Sequence, residues 1–224
     1  MQIKTNIKTA KGRKLSSTKW LYRHINDPYV ASANEKGYKS RAAFKLLEID
    51  QKFKILSHAI KNGAAIIDLG CAPGSWLQVL NEKLHKLHKY KIIGVDLKVI
   101  TCDNISNIKI ITGDFTHVET TDMLRDNIKD YTVQLVLSDM ASNSCGDRQI
   151  DHLRITSLAH EVLDFIESNG QYGCNAVIKV VQGNMSKILN DRAKGMFHKV
   201  HWYKPKASYA DSAEIYLIML NKKT

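Results

Sequence analysis

A lysine inside an apolar run, Ala176-Val177-Ile178-Lys179-Val180-Val181, is the first residue that demands a chemical explanation. An ammonium in a central strand is expensive to bury unless it is paired or has a task. Two other strand-like runs bring acids: Val133 to Ser138 ends on Asp139, and Glu214 opens Glu214-Ile215-Tyr216-Leu217-Ile218-Met219. Lysine beside carboxylate reads either as a structural ion pair whose stem snorkels to the strand end, or as a proton acceptor that the carboxylates orient. Glu214 can share an edge with Asp139 only if the last strand runs antiparallel to the others.

A second constellation surrounds a glycine turn. Ile66-Ile67-Asp68-Leu69 is a short apolar run containing an acid, and Gly70-Cys71-Ala72-Pro73-Gly74 leads into an amphipathic segment from Ser75 with Trp76, Leu77, Val79, Leu80 and Leu84 on one face. Glycines there let backbone approach a ligand, and the new helix offers unpaired N–H groups to an anion. Lys91 to Val95 then ends on Asp96, 22 residues after Gly74. An acid at about that distance receives ribose hydroxyls in nucleotide-binding sheets. The spacing favours an adenosine-bearing ligand over a triphosphate, and leaves a dinucleotide and S-adenosylmethionine both open.

These residues need a frame. Strands are predicted near 64–68, 91–96, 107–112, 133–138, 174–181, 197–203 and 214–220, and helices near 75–88, 118–128, 149–168 and 186–194. Ahead of them, Ser16 or Ser17 can cap a short helix around Trp20–Ile25, Pro28 can open another, and Ser40 can cap one from Arg41 to about Phe53. Alternation of this kind implies an α/β fold: a Rossmann-like, mostly parallel seven-stranded sheet with an antiparallel last strand and helices on both faces.

The chain has 224 residues, enough for one sizeable core, and a net charge of +11 that is unevenly spread. Residues 1–45 hold eleven Lys/Arg against Asp27 and Glu35, a net +9, while the remainder is +2. Trp20, Tyr22, Tyr29, Tyr38 and Phe44 are interleaved with those cations, the composition of a surface that neutralises phosphates and stacks bases. The expected organisation is a basic disordered tail over 1–14 and one domain over 15–224 whose helices at 15–60 bind RNA. No apolar run nears the ~20 residues of a membrane span, so a cytoplasmic protein without a membrane partner is expected. Cys71, Cys102, Cys145 and Cys174 show no C-x-x-C spacing and read as reduced, buried thiols. His85-x-x-His88 and His198-x-x-His201 have spacings met in metal sites, but the first pair sits on a Lys-rich helix end and the second would point to opposite strand faces, so no metal is assigned.

Taken in order, Ser40-Arg41-Ala42-Ala43-Phe44-Lys45-Leu46, Asp68 to Trp76, Gly113-Asp114-Phe115, Ser138-Asp139-Met140-Ala141, Val177 to Gly183 and Glu214-Ile215-Tyr216 resemble the FtsJ/RrmJ family of ribose 2′-O-methyltransferases, from Trp20 to Leu220. The resemblance implies a Lys-Asp-Lys-Glu tetrad on Lys45, Asp139, Lys179 and Glu214, with Lys179 as proton acceptor. It implies S-adenosylmethionine contacts on Gly74, Trp76, Asp96, Asp114 and Asp139, and as substrate a uridine of large-subunit (23S) ribosomal RNA, within the large subunit. Two positions depart from the family pattern, Ser75 for a glycine and Ser142 for a proline, and the tail 1–14 has no counterpart in it.

An ordinary lysine is protonated at neutral pH. Bringing one from ~10.4 to near 8 takes about 3 kcal/mol, which desolvation and a second cation such as Lys45 can supply. Asp139 and Glu214 oppose that shift, so orienting the lysines is the role expected of them. Related substrates, tRNA or mitochondrial ribosomal RNA, stay open on the sequence, as does a non-catalytic RNA-binding or ribosome-assembly protein on the same fold. A dehydrogenase would suit Asp96 but has no hydride-transfer partner.

Overall fold

The computed structural model describes residues 5, 15–56, 60–100, 105–141, 146–183 and 186–224. The tail 1–14 apart from Thr5, together with Cys102, Ser142, Asn143, Cys145 and the side chains of Ser16 and Trp20, lies outside the described residues.

Seven strands form where the apolar runs predict them: β1 (Ala64–Leu69), β2 (Tyr90–Asp96), β3 (Ile108–Thr112), β4 (Thr132–Ser138), β5 (Gly170–Val181), β6 (Phe197–Tyr203) and β7 (Glu214–Lys222). They make one sheet in the order β3-β2-β1-β4-β5-β7-β6. Neighbours from β3 through β5 pair in parallel, and β7 inserts antiparallel between β5 and β6 with Glu214 opposite Val181. The antiparallel demand placed on Glu214 is therefore met. Strand order reverses between β1 and β4, so the carboxyl ends of those two strands flank the crevice where open α/β sheets take ligands.

Three helices precede the sheet, α1 (Leu15–Ile25), α2 (Pro28–Glu35) and α3 (Ala42–Phe53), and four connect its strands, α4 (Ser75–Leu84), α5 (Val118–Ile128), α6 (Arg148–Asn169) and α7 (Ser186–Met196). Alternate residues along each strand serve the two faces. On one, Ile66, Ile92, Leu135, Val177 and Ile218 pack with Leu46 and Ile49 of α3 and Leu77 and Leu80 of α4. On the other, Ile67, Ile93, Val136, Ile178 and Leu217 pack with Leu124, Val162, Ile166 and Leu189 of α5 to α7. All six residues of β1 are buried, as a central strand covered on both sides requires.

Boundaries differ at α1, α3, α4 and β5, while α2 opens at Pro28 as expected. α1 starts at Leu15, ahead of Ser17, and is anchored from its other end, where Arg23 bridges to Asp211 at 2.6 Å. Asp27 caps α2 by accepting the Tyr29 N–H at 2.8 Å, with Pro28 in the first turn. Helix α4 stops at Leu84 rather than 88, because only Leu87 of the following segment meets the core, from a turn whose N–H bonds Leu84 O at 2.9 Å. β5 begins at Gly170 rather than 174: α6 runs into it without a loop, and a register shift against β4 between Val133 and Leu135 takes up the extra residues. Ser40 sits one place outside the assigned cap of α3, yet its Oγ accepts the Ala42 N–H at 3.2 Å and lies 2.7 Å from Ser75 Oγ. Cys71 and Cys174 are buried free thiols. Among the described residues no helix is long and apolar enough to cross a membrane.

Candidate active site

Lys45, Asp139, Lys179 and Glu214, distant in sequence, converge at the carboxyl edge of β4 and β5. Lys179 Nζ lies 3.0 Å from Asp139 Oδ1 and also donates to the Asp139 carbonyl. Lys45 Nζ, delivered by α3, lies 2.7 Å from Glu214 Oε1 and 4.0 Å from Asp139 Oδ2. Cations and carboxylates thus alternate along a chain from Lys179 through Asp139 and Lys45 to Glu214. All four side chains keep only 11–19% of their surface, so their attraction is little screened.

Topology explains the meeting. Asp139 directly follows β4, and its N–H bonds Leu69 O at 3.0 Å, which holds the end of β4 against the end of β1. Lys179 lies two residues before the end of β5, and the antiparallel β7 starts beside that end, bringing Glu214 to the same edge.

A fifth side chain binds the group together. Tyr216 is opposite Lys179 in the β5–β7 ladder and is fully buried, and its hydroxyl lies 2.8 Å from Asp139 Oδ1 and 3.3 Å from Glu214 Oε1. Burial first, then the charges of Asp139 and Glu214, push its phenol well above the ordinary value, so it stays a donor. Ser208 Oγ donates to the same Glu214 Oε1 at 2.7 Å. Neither role is legible in the sequence, although Tyr216 sits at the i+2 position from Glu214 that shares its strand face. Burial pushes the Asp139 carboxyl up, but Lys179 and Lys45, with hydrogen bonds from Lys179 and Tyr216, more than offset it and hold the group below the usual carboxylate range.

Next to this cluster lies a cavity of about 360 Å³ lined by Gly70, Asp96, Asp114, Asp139 and Met140 among others. Asp139 is common to both. Gly70 (φ +77°) cannot be replaced without collision, since a Cβ there would stand 2.8 Å from the backbone of Met140. A Cβ on Gly94 would similarly meet Cys71 Sγ at 2.7 Å. Asp96 organises the glycine turn: its Oδ2 accepts the Ala72 N–H at 2.8 Å and its Oδ1 the Lys98 N–H at 2.9 Å. Asp114 Oδ1 accepts the N–H and the hydroxyl of Thr116, which hold the carboxyl below its ordinary value.

Gly74 and Trp76 stand apart from that cavity. Gly74 (φ +106°) precedes α4 as its cap residue, and Trp76 is a buried strut whose Nε1 donates to Ala42 O at 2.8 Å, joining α4 to α3. Trp76 instead lines a small neighbouring space together with Asp139 and Asp68. Asp68 was not singled out by the sequence as a site residue. It has no exposed surface, and neither carboxylate oxygen has a hydrogen-bond partner. Burial, then the charges of Asp139 and Asp96, push it well above the ordinary value. A buried acid in that condition awaits a donor.

The N-terminal aromatics divide. Tyr38 and Phe44 pack together edge to face at 5.9 Å and Tyr38 Oη donates to Glu82, so they serve the fold, whereas Tyr22 remains 37% exposed. Thr5 is held by the Asn26 amide, which bonds both its N–H (2.7 Å) and its C=O (3.0 Å). His85, His88, His198 and His201 are all exposed. Among the described residues no three His, Cys, Asp or Glu come together as a metal-binding group.

The sequence pattern of FtsJ-like methyltransferases matches residues 38–222. A protein of Wolbachia sp. subsp. Brugia malayi named Ribosomal RNA large subunit methyltransferase E is 44% identical over 98% of this chain and 95% of its own length. A protein of the same name from Rickettsia typhi is 38% identical over 97% and 94%. A crystal structure described as a ribosomal RNA methyltransferase of Plasmodium falciparum superposes with a TM-score of 0.71 at 34% identity, covering 83% of this chain and 98% of that one. By sequence pattern, by relatives of matching length and by fold, the chain belongs to the FtsJ-like methyltransferase family.

Proposed function

We propose that the chain transfers a methyl group from S-adenosylmethionine to the ribose 2′-hydroxyl of a uridine in large-subunit ribosomal RNA, in the cytoplasm, with Lys179 as general base. The observation that carries this reading is that one side chain, Asp139, lines the glycine-turn cavity and also contacts both lysines and Tyr216. A donor seated in that cavity and a hydroxyl held by the lysines would meet across Asp139. The names carried by the full-length relatives support ribosomal RNA as the substrate class.

S-adenosylmethionine, when bound, supplies a methyl group on a positively charged sulfur. The residues present fit it: Asp96 and Asp114 offer acceptors to the nucleoside hydroxyls and amine, and the backbone of Gly70 and Ala72, which line the cavity, gives close approach. Asp139 supplies the anionic surroundings that an amino-acid ammonium requires, and Asp68, which burial pushes toward its neutral form, has two unpartnered oxygens that such an ammonium would meet. Trp76 acts here as a support, fixing α4 against α3 beside that space.

At the acceptor side, the amine of Lys179 takes the 2′-hydroxyl proton as the oxygen attacks, and Asp139 fixes its position through the contact at 3.0 Å. Lys45, paired with Glu214 at 2.7 Å, holds the ribose by its remaining donors. Tyr216 and Ser208 keep the two carboxylates in place from below. Alignment of oxygen, methyl and sulfur then lowers the barrier without further covalent chemistry.

Labelled S-adenosylmethionine offered with tRNA, with naked ribosomal RNA and with large ribosomal subunits tests the substrate. Label is expected in the ribosomal substrates at a ribose 2′-oxygen, and label confined to tRNA would overturn that assignment. Lys179→Ala is expected to lower turnover by about 10²–10⁴-fold with donor affinity near wild type. Turnover close to wild type would remove Lys179 from the base role.

A further inference from the structure

A larger cleft, about 970 Å³, opens beside the tetrad between helices α1 and α2 and the β6–β7 connection. Its walls bring Lys19, Tyr22, Arg23 and Tyr29 face to face with Lys206 and Tyr209. The second wall comes from a part of the chain with no excess of charge in the sequence. It is firmly built: Glu48 accepts the N–H groups of Lys206 (2.7 Å) and Ala207 (2.9 Å), and Arg41 bonds Asp27 on one side and Ala207 O on the other. Tyr209 is covered by the Arg41 guanidinium at 3.8 Å and the Arg23 guanidinium at 4.9 Å.

We infer that this cleft holds a single-stranded segment of the substrate RNA next to the nucleotide being methylated. The inference rests on the function proposed above and extends it. Cations beside an exposed aromatic face, here that of Tyr22, are what a single strand requires, backbone on the ammonium and guanidinium groups and a base on the ring. Lys19, Lys206 and Tyr22 are solvent-exposed and available for that contact. Of the acids around the cleft, Asp27 is occupied by Arg41, Glu48 by the Lys206 and Ala207 N–H groups and Glu214 by Lys45 and Ser208, and Asp211 pairs with Arg23 in an exposed bridge that a phosphate can displace at small cost. Position decides the occupant. Ser208 lines the cleft and donates to Glu214 at 2.7 Å, and Glu214 bonds Lys45, so the cleft wall continues directly into the tetrad. A strand whose ribose reaches Lys179 and Lys45 must pass its neighbouring nucleotide along this wall.

The test uses the full chain with Tyr22→Ala, Tyr22→Phe, Lys206→Ala and the double variant Tyr22→Ala/Lys206→Ala. Lys129→Ala, at the far end of the sheet, serves as control. RNA binding is read directly by filter retention against ribosomal RNA, and methylation kinetics separately against large subunits. The double variant is expected to bind RNA roughly tenfold more weakly and to raise the KM for RNA by a similar factor, with the KM for donor unchanged. Tyr22→Phe should restore the stacking share, and Lys206→Ala should reduce the salt slope of binding by about one unit. Methylation with wild-type RNA affinity in the double variant overturns the cleft assignment and leaves the proposed reaction standing. RNA binding that the double variant weakens, in a wild-type protein that methylates no RNA, supports the cleft and removes the reaction. A wild-type chain that neither binds nor methylates RNA overturns both.

Discussion

Tyr216 and Lys179 face each other across the β5–β7 ladder and reach the same carboxylate oxygen, Asp139 Oδ1, at 2.8 and 3.0 Å. A neutral phenol and an amine thus share one acceptor, and the two contacts together fix the Asp139 carboxylate at the sheet edge.

Replacing Tyr216 by Phe removes the donor while keeping the ring that fills the core. Because the lost bond goes to an ionised, mostly buried group, destabilisation of about 1.5–3 kcal/mol in urea unfolding is expected. Turnover should fall with little change in donor affinity, and the Asp139 carboxyl, read by NMR titration, should titrate at higher pH than in wild type, since Tyr216 is one of the groups that hold Asp139 low. An unchanged Asp139 titration would show that the phenol does not govern it.

Asp68→Asn should act with opposite signs on stability and on donor binding. Without ligand the variant is expected to be more stable at neutral pH, by roughly 1–3 kcal/mol, because a buried carboxyl without partners no longer resists ionisation. Donor affinity, read by calorimetry, should fall about tenfold through loss of a charge-assisted contact. A variant that loses stability and retains affinity would make Asp68 a structural residue.

Asp139 and Asp68 also set opposite pH dependences. The folded pKa of Asp139 is depressed, so its contribution to stability is present above the unfolded value of about 3.9 and is lost as pH falls through the folded value. That of Asp68 is raised, so its contribution is full below about 3.9 and is lost as pH rises toward the folded value. Unfolding curves of Asp139→Asn and Asp68→Asn between pH 3 and 8, each subtracted from wild type, should therefore slope in opposite directions. Parallel curves would contradict one of the two assignments.

Gly70→Ala tests the turn. The added Cβ would stand 2.8 Å from Met140 backbone atoms and force a residue with φ +77° out of its preferred region. Destabilisation of about 2 kcal/mol or more, with donor binding lost in the remaining folded protein, is the expected outcome. Thermal melts with and without S-adenosylmethionine measure both effects.

The sheet itself was largely legible because each strand announces itself locally. The apolar runs at 64–69, 132–138 and 214–222 respectively contain, precede and begin on the acids Asp68, Asp139 and Glu214, and no distant information is needed to see them. Family membership disposes of the dehydrogenase alternative, which the spacing of Gly74 and Asp96 had left open. Boundaries were less legible where packing overrides pattern, as at the loop-free passage from α6 into β5. The aromatic residues near the N-terminus looked alike by composition, yet the fold packs the half-buried Tyr38 and Phe44 against each other and leaves Tyr22 on a cleft wall.

By itself the sequence determined which residue types are available and where along each strand they fall, since periodicity and strand ends are properties of neighbouring residues. Only the tertiary structure decided who meets whom: that Glu214 pairs with Lys45, that Tyr216 and Ser208 secure the carboxylates, that Trp76 supports rather than lines the larger cavity, and that Asp68 is buried without a partner. Each depends on the insertion of β7 between β5 and β6 and on the seating of α3 over the sheet edge. Those contacts join segments far apart in the chain, and local pattern carries no record of such distances.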